Sequence, residues 1–222
     1  MPHPYWPLFD LVVRTPRLEL RHPGDDDLVA LADLAARGVH PPAAMPFEIP
    51  WTDVAPPLRQ RNSLQWWWRQ RAEWQPTDWS LTLMVSEIGR SGERTVVGVQ
   101  DARGTDFPLS RTVLTGSWLG LAHQGQGIGK EMRAAVLHLA FAGLGAERAE
   151  TAAWHDNAAS LGVSRALGYR ANGEHVARRR DAYDRGLDFV LERSEWAARR
   201  RDDIVIEGLE PCLALFGLEA CD

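Results

Sequence analysis

The residues best suited to chemistry stand together in one short stretch, Gln124-Gly125-Gln126-Gly127-Ile128-Gly129, with Lys130 next. Its glycines leave the main chain without Cβ atoms, so it can pass close to a bulky anion. A helix starting near Gly127 offers unpaired N–H groups and the positive end of its dipole, which suits a pyrophosphate. Lys130 falls in the first helical turn, where a cation opposes the dipole unless an anion binds beside it. The glycine spacing is not the G-x-G-x-x-G of a dinucleotide fingerprint. It is not a P-loop either, because Glu131 follows Lys130 where Ser or Thr is needed. A purely structural turn is the other reading of these glycines.

Gln124-x-x-Gly127-x-Gly129 matches the Q/R-x-x-G-x-G/A signature of the GNAT acyltransferase superfamily, which the chain resembles over nearly its whole length. Asp156-Asn157-Ala158-Ala159-Ser160 with Ala166-Leu167-Gly168-Tyr169 resembles the branch that acetylates the N-terminal residue of ribosomal proteins. Trp6-Pro7-Leu8-Phe9-Asp10, Thr15-Pro16-Arg17-Leu18, Met45-Pro46-Phe47 and Pro50-Trp51-Thr52 look like an actinobacterial subgroup of acetyl- or succinyltransferases. The resemblance implies acetyl-CoA or succinyl-CoA as co-substrate and no metal. It implies a sheet that splays open after a strand ending near Leu121. The donor's pantetheine arm would pair with the main chain of Trp118, Leu119 and Leu121. Gln124, Gly125, Gln126, Gly127, Ile128, Gly129 and Lys130 would hold its pyrophosphate. Asn157 matches the position that bonds the pantetheine arm, with Ser160 close by, and Asn157 is equally well placed to cap the following helix.

The implied reaction is attack of a neutral amine on a thioester, with a strand N–H near Leu119 as donor to the oxyanion. Many relatives protonate the departing thiolate with a tyrosine, and the alignment puts Ser164 there. Ser160, one turn earlier, is the second candidate, and each serine also reads as a hydroxyl bonded back to its own helix. Asp101, His155 and Asp156 lie at strand ends that can face the split, and no one of them is singled out as base over an ordered water. Arg178-Arg179-Arg180 and Arg199-Arg200-Arg201 read as solvated charge, or supply one arginine for the carboxylate of an acidic acyl group or acceptor.

These residues need elements to position them. Leu18 and Leu20 alternate with Arg17, Glu19 and Arg21, which predicts a half-buried strand over Thr15–Pro23. Asp25, Asp26 and Asp27 predict an N-cap and first turn for a helix to Ala36. Prolines and aromatics over 39–57 predict an ordered loop of the kind that shapes a binding site. Leu58–Trp74 predicts a helix whose Leu64, Trp67, Trp68 and Arg71 form a core stripe, or else a wall for an acceptor pocket. Strands are expected over Ser80–Glu87, Thr95–Ala102 and Val113–Leu121, the first two joined by a turn at Arg90–Glu93. The helix after Gly129 turns Ile128, Met132, Ala135, Val136, Leu139 and Ala140 inward and Lys130, Glu131 and Arg133 to the other side. A strand at Arg148–Ala153, a helix at Asn157–Leu167 and strands at Tyr169–Val176 and Leu187–Glu192 follow. The order implies an α+β fold, a mixed and mainly antiparallel sheet flanked by helices.

The 222 residues suit one domain, taken as 1–196, with an extension over 197–222 packing on it or on a partner subunit. Ile204-Val205-Ile206 in that extension reads as an edge strand or an oligomer contact. The net charge of −5 argues against a general nucleic-acid binder. The absence of a long apolar run and of a signal-peptide pattern in the first residues argues for a cytoplasmic protein without a membrane partner. The two cysteines, Cys212 and Cys221, show no metal or redox spacing. Ten tryptophans imply an apolar surface, consistent with a homodimer or higher homo-oligomer. The expected acceptor is a protein N-terminus, a lysine or a small amine. Two alternatives stand beside it: aminoglycoside or polyamine acetylation, and a non-catalytic module that only binds acyl-CoA.

Overall fold

Alternating apolar and polar side chains put much of the chain into strands. In this computed structural model, which describes residues 3–219, β1 (Val12–Arg14) and β2 (Leu18–Arg21) precede α1 (Asp25–Ala36) and α2 (Leu58–Ala72). Next come β3 (Asp78–Ile88), β4 (Arg94–Thr105), the short α3 (Phe107–Ser110) and β5 (Thr112–Leu119). α4 (Ile128–His138), β6 (Arg148–Trp154) and α5 (Ala158–Ala166) follow. A long hairpin of β7 (Arg170–Arg179) and β8 (Ala182–Glu192) leads to α6 (Arg193–Ala197) and β9 (Val205–Glu207).

All nine strands form one sheet in the order β7-β8-β6-β5-β4-β3-β2-β1-β9. The neighbours run antiparallel except β5 and β6, which the α4 crossover makes parallel. This is the expected α+β class. β5 and β6 pair only over Thr112–Leu114 and Arg148–Glu150, then part. The split therefore begins well before Leu121, and β5 itself ends at Leu119.

One face of the sheet packs Ile128, Met132 and Ala135 of α4 and Leu161 of α5 against Leu83, Val85 and Val97. The other face packs Leu28, Leu31 and Ala32 of α1 and Trp67 of α2 against Met84 and Val99. β9 adds to β1 at the sheet edge, and Phe216 packs edge-on against both Trp74 and Trp79, with ring centroids 5.5 and 4.9 Å away. Burial pushes the Cys212 thiol up to about 12, with Asp10 adding to the shift. Cys221 lies outside the described residues. Among the described residues no helix is long and apolar enough to cross a membrane.

Three local expectations are corrected. The cap of α1 is Gly24, not one of the aspartates, and the Asp27 carboxylate reaches back to accept from the Gly24 N–H at 2.8 Å. On α2 only Trp67 is buried, while Trp66 and Trp68 are about half exposed, because α2 touches the sheet with one narrow strip beside α1. On α4, Glu131 and Arg133 are buried rather than solvated, because that side of the helix faces β2 and the split instead of water.

Candidate active site

Where β5 and β6 part, groups that a continuous sheet would consume are left over. The Gly120 N–H bonds the Val97 carbonyl at 3.0 Å, which fixes the alternation along β5. The main chain of Trp118 and Gly120 turns toward β4, and the N–H groups of Ser117 and Leu119 turn into the gap. A cleft of about 910 Å³ fills that gap and is lined by residues from both faces of the sheet.

Gln124, Gly125, Gly127, Gly129 and Lys130 line the cleft on the α4 side. Gly125 and Gly127 take φ of +75° and +81°, a left-handed conformation that glycine adopts without strain. A Cβ on Gly125 would meet nothing within 4 Å, so the loop is open to a bulky anion there. The Lys130 and Glu131 N–H groups both bond the Gly127 carbonyl, and the earlier N–H groups of Ile128 and Gly129 head the helix toward the cleft. The Ile128 side chain itself is fully buried in the core. Gln126 turns its amide to the Ala122 carbonyl (2.9 Å), outside the cleft lining.

Two braces hold this loop. The Gln124 amide donates to the Val39 carbonyl at 2.8 Å and the Leu119 carbonyl at 2.9 Å, tying the loop to the end of β5 and to the segment after α1. Glu131 accepts from the Thr15 hydroxyl (2.6 Å) and from Arg17 Nε (2.8 Å). Burial pushes the Glu131 carboxyl up, but Thr15 and Arg17 outweigh it and hold the group below its ordinary value. Leu121 sits in a short helical turn after the strand, with its N–H taken by the Gly38 carbonyl at 3.0 Å. Neither its main chain nor that of Trp118 faces the gap as a strand edge, although the Trp118 indole lines the cleft.

From α5, Asn157 and Ser160 line the cleft. The Asn157 Oδ1 accepts from the Ser160 N–H at 3.1 Å, so Asn157 caps α5 and its Nδ2 is left over for another partner. Ser164 is buried and donates to the Ser160 carbonyl at 3.2 Å. It does not line the cleft.

The opposite face of the cleft is roofed by the proline-rich loop. Val39, His40, Pro46, Phe47 and Glu48 line it, and an aromatic run from His40 through Phe47 and Trp51 to Trp118 leads inward with centroid spacings of 5.8, 5.2 and 6.0 Å. The tryptophans of α2 take no part in the lining. The β7–β8 hairpin clasps the loop: Arg179 Nε donates to the Met45 carbonyl at 2.8 Å, and Arg180 forks onto Asp53 with two bonds of 2.8 Å. Arg179 also pairs with Asp156 (3.0 Å) and Asp184 (2.7 Å) and lies over the Trp154 ring. It alone of the two arginine triplets lines the cleft, and its charge is already matched.

Residues 17–170 match a family model described as an acetyltransferase (GNAT) domain. This chain belongs to the GNAT family. Its fold is shared by Mycobacterium smegmatis RimJ in complex with a CoA-disulfide, at 18% identity and a TM-score of 0.65, over 97% of this chain and 99% of that one. RimL, a ribosomal L7/L12 alpha-N-protein acetyltransferase in complex with coenzyme A, matches at 18% identity and 0.60, over 82% and 97% of the two chains. A spermidine N-acetyltransferase chimera from Vibrio cholerae and hSSAT matches at 14% identity and 0.63, over 81% and 98%.

Among the base candidates in this GNAT domain, His155 is part exposed, bonds Arg185 and Asp184, and stays outside the cleft lining. Asp156 lines the cleft but is occupied by Arg179. Asp101 is different. It lies directly across from Gly116 of β5, on the face that carries α1 and α2, and its Oδ1 is out of solvent with no hydrogen-bond partner. Burial pushes its carboxyl up to about 6, against the Thr82 hydroxyl and the Arg133 charge, which pull it down. Gly116 lines the cleft, and a Cβ there would meet nothing within 4 Å; Asp101 itself lies behind Gly116 and is not part of the lining. Sequence reading put Arg133 on the polar side of α4 and gave it no role in the site. It is 4% exposed, lines the cleft floor, and bonds Thr115, Thr151, Ser117 and Gln100. Among the described residues no three His, Cys, Asp or Glu side chains group to hold a metal ion.

Proposed function

We propose that this protein is an N-acyltransferase that moves an acetyl or succinyl group from coenzyme A to a primary amine, acting in the cytoplasm. The observation that carries the reading is the gap between β5 and β6, with a glycine loop and helix N-terminus on one side and an aromatic-roofed cleft on the other. Gly125, Gly127 and the first N–H groups of α4 fit a pyrophosphate, with Lys130 adding a charge. Asn157 Nδ2 and the gap-facing main chain of Ser117 and Leu119 fit a pantetheine arm.

The chemistry then follows from what the chain's own groups can do. The amine nitrogen attacks the thioester carbon from the roofed side. The N–H of Leu119, or of Ser117, donates to the oxygen as it becomes negative. Asp101, its pKa pushed up to about 6 by burial, takes the proton that the attacking nitrogen releases through an intervening water. Collapse breaks the carbon–sulfur bond; a serine hydroxyl donates a hydrogen bond to the departing thiolate, which takes its proton from water. Ser160 lines the cleft and is placed for this step, whereas Ser164 is buried outside the lining with its hydroxyl on the Ser160 carbonyl.

The acceptor we favour is a protein N-terminus. Of the two acidic side chains lining the cleft, Asp156 is paired with Arg179, which leaves Glu48 as the single carboxylate to draw a polyamine. The aromatic lining from Phe47 to Trp118 suits an apolar first side chain instead. Similarity in fold to RimJ and RimL supports the same direction. The test is mass spectrometry of peptides with free N-termini, and of spermidine, after incubation with acetyl-CoA and succinyl-CoA. An acyl adduct on the peptide amine supports the reading. Tight coenzyme A binding without transfer to any amine would sink it in favour of a non-catalytic module.

A further inference from the structure

Arg133 is the most buried arginine of the cleft, and nothing in the proposed reaction uses it. Its guanidinium stands at the floor of the split, where α4 faces the point at which β5 and β6 part. Nη1 donates to the hydroxyls of Thr115 (3.0 Å) and Thr151 (3.1 Å), and Nη2 to that of Ser117 (3.1 Å). Nε donates to the side-chain Oε1 of Gln100, a longer contact of 3.4 Å. All four partners are neutral. Among the described residues no carboxylate comes within ion-pair distance of it. Asp101 feels its charge but follows Gln100 on β4, so it sits on the opposite face of the sheet.

A guanidinium cannot shed its proton, so burial does not discharge it. Neutral hydroxyls satisfy its hydrogen bonds without matching its charge, and an unmatched buried charge is costly unless something else supplies the counter-ion. The four partners use one donor each from Nε and Nη2 and both from Nη1, which leaves one N–H of Nη2 without a partner. The floor is therefore built to hold the cation in one orientation while its charge waits for an anion. The cleft is where such an anion would arrive.

Resting on the acyltransferase reading above, we infer that Arg133 is the receptor for a carboxylate at the far end of the transferred acyl group. The enzyme would then select short dicarboxylic acyl-CoA donors of the malonyl and succinyl class over acetyl-CoA. The length follows with Ser117 as the donor to the reacting carbonyl: its main-chain N–H faces the gap while its side-chain hydroxyl touches the guanidinium. One serine side chain plus one hydrogen bond separates the two sites, which is the reach of a two- or three-carbon spacer. Longer acids would collide with Thr115 and Thr151, whose hydroxyls link β5 to β6 just below (Thr151 Oγ1 to the Thr115 carbonyl, 3.0 Å).

The test compares succinyl-CoA with butyryl-CoA, which has the same carbon count and a methyl in place of the carboxylate, and with acetyl-CoA and free coenzyme A. On the unmodified protein, kcat/KM for succinyl-CoA should exceed that for butyryl-CoA by about tenfold or more, the size of a buried charge-assisted hydrogen bond. In R133Q that preference should vanish while free coenzyme A still binds, and R133K should restore part of it. Equal or better use of acetyl- and butyryl-CoA by the unmodified protein would overturn the assignment, with no variant needed. So would an equal fall for all three donors in R133Q, because the guanidinium would then serve the reacting carbonyl or the fold. If free coenzyme A and every thioester fail to bind, the donor site itself is wrong and this inference falls with it.

Discussion

At the scale of single residues, the site depends on groups whose burial sets their proton affinity. Asp101 holds its proton up to about pH 6 in the folded protein, against an ordinary value of 3.8. As a base it works only when ionised, so kcat/KM should fall as pH drops below about 6. Asp101→Asn should remove that limb and lower the rate by roughly a hundredfold or more. A pH profile that keeps its acid limb in the variant would assign the base elsewhere. The same shift has a stability consequence. The unfolded carboxyl ionises earlier, so this group weakens the fold as pH rises from about 3.8 to 6. His22 shows the opposite case. It is 3% exposed, touches the Thr82 carbonyl at 3.1 Å, and burial lowers its pKa to about 4, with Arg71 pushing the same way. The unfolded chain binds this proton first, so its contribution is complete above pH 6.5 and is lost as pH falls toward 4. The full shift is worth about 3 kcal/mol. Unfolding curves between pH 7 and 4 should steepen for the unmodified protein relative to His22→Gln, and parallel curves would contradict this.

At the scale of elements, two joints decide how the cleft keeps its shape. Gln124 joins three segments through one amide, and Gln124→Ala should cost about 1–2 kcal/mol of stability for its two bonds and weaken coenzyme A binding with it. An unchanged coenzyme A affinity would mean that the glycine loop holds its form without the brace. The second joint is the clasp of the β7–β8 hairpin on the proline-rich loop through Arg180 and Asp53. Arg180→Ala should raise KM for the amine several-fold and leave coenzyme A affinity alone, as steady-state kinetics and calorimetry would show. A change in coenzyme A affinity instead would place the clasp on the donor side. Most elements were legible in the sequence because their apolar periods are clean, as in Leu18 and Leu20 of β2 or Ile128 to Ala140 of α4. β1 was not, because three residues carry no readable period and it exists only by pairing with β2 and β9. The clasp was not either, since its partners lie far apart in sequence and surface arginines ordinarily read as solvated.

At the scale of the whole molecule, the glycine loop, its helix and the parallel break in the sheet were legible together, because the motif names the local geometry and the helical crossover forces the parallel pair. The burial of Glu131 and Arg133 was hidden. A polar residue on the far side of an amphipathic helix reads as solvent-facing, and only the tertiary arrangement shows that a strand edge and a split cover it. Arg17 and Thr15 could have flagged Glu131, as charge and hydroxyl in a motif whose partner was not yet known; nothing local flagged Arg133. The architecture thus places a glycine loop at a helix N-terminus and a gap with spare N–H groups along one cleft through the sheet, with the buried Asp101 carboxyl behind Gly116. The most direct test of that arrangement is thermal unfolding with free coenzyme A, acetyl-CoA and succinyl-CoA, against NAD and ATP as controls. The coenzyme A compounds alone should stabilise the protein, by about 2.7 kcal/mol at a hundred times the dissociation constant. Equal stabilisation by ATP or NAD, or none by coenzyme A well above micromolar concentration, would contradict the account.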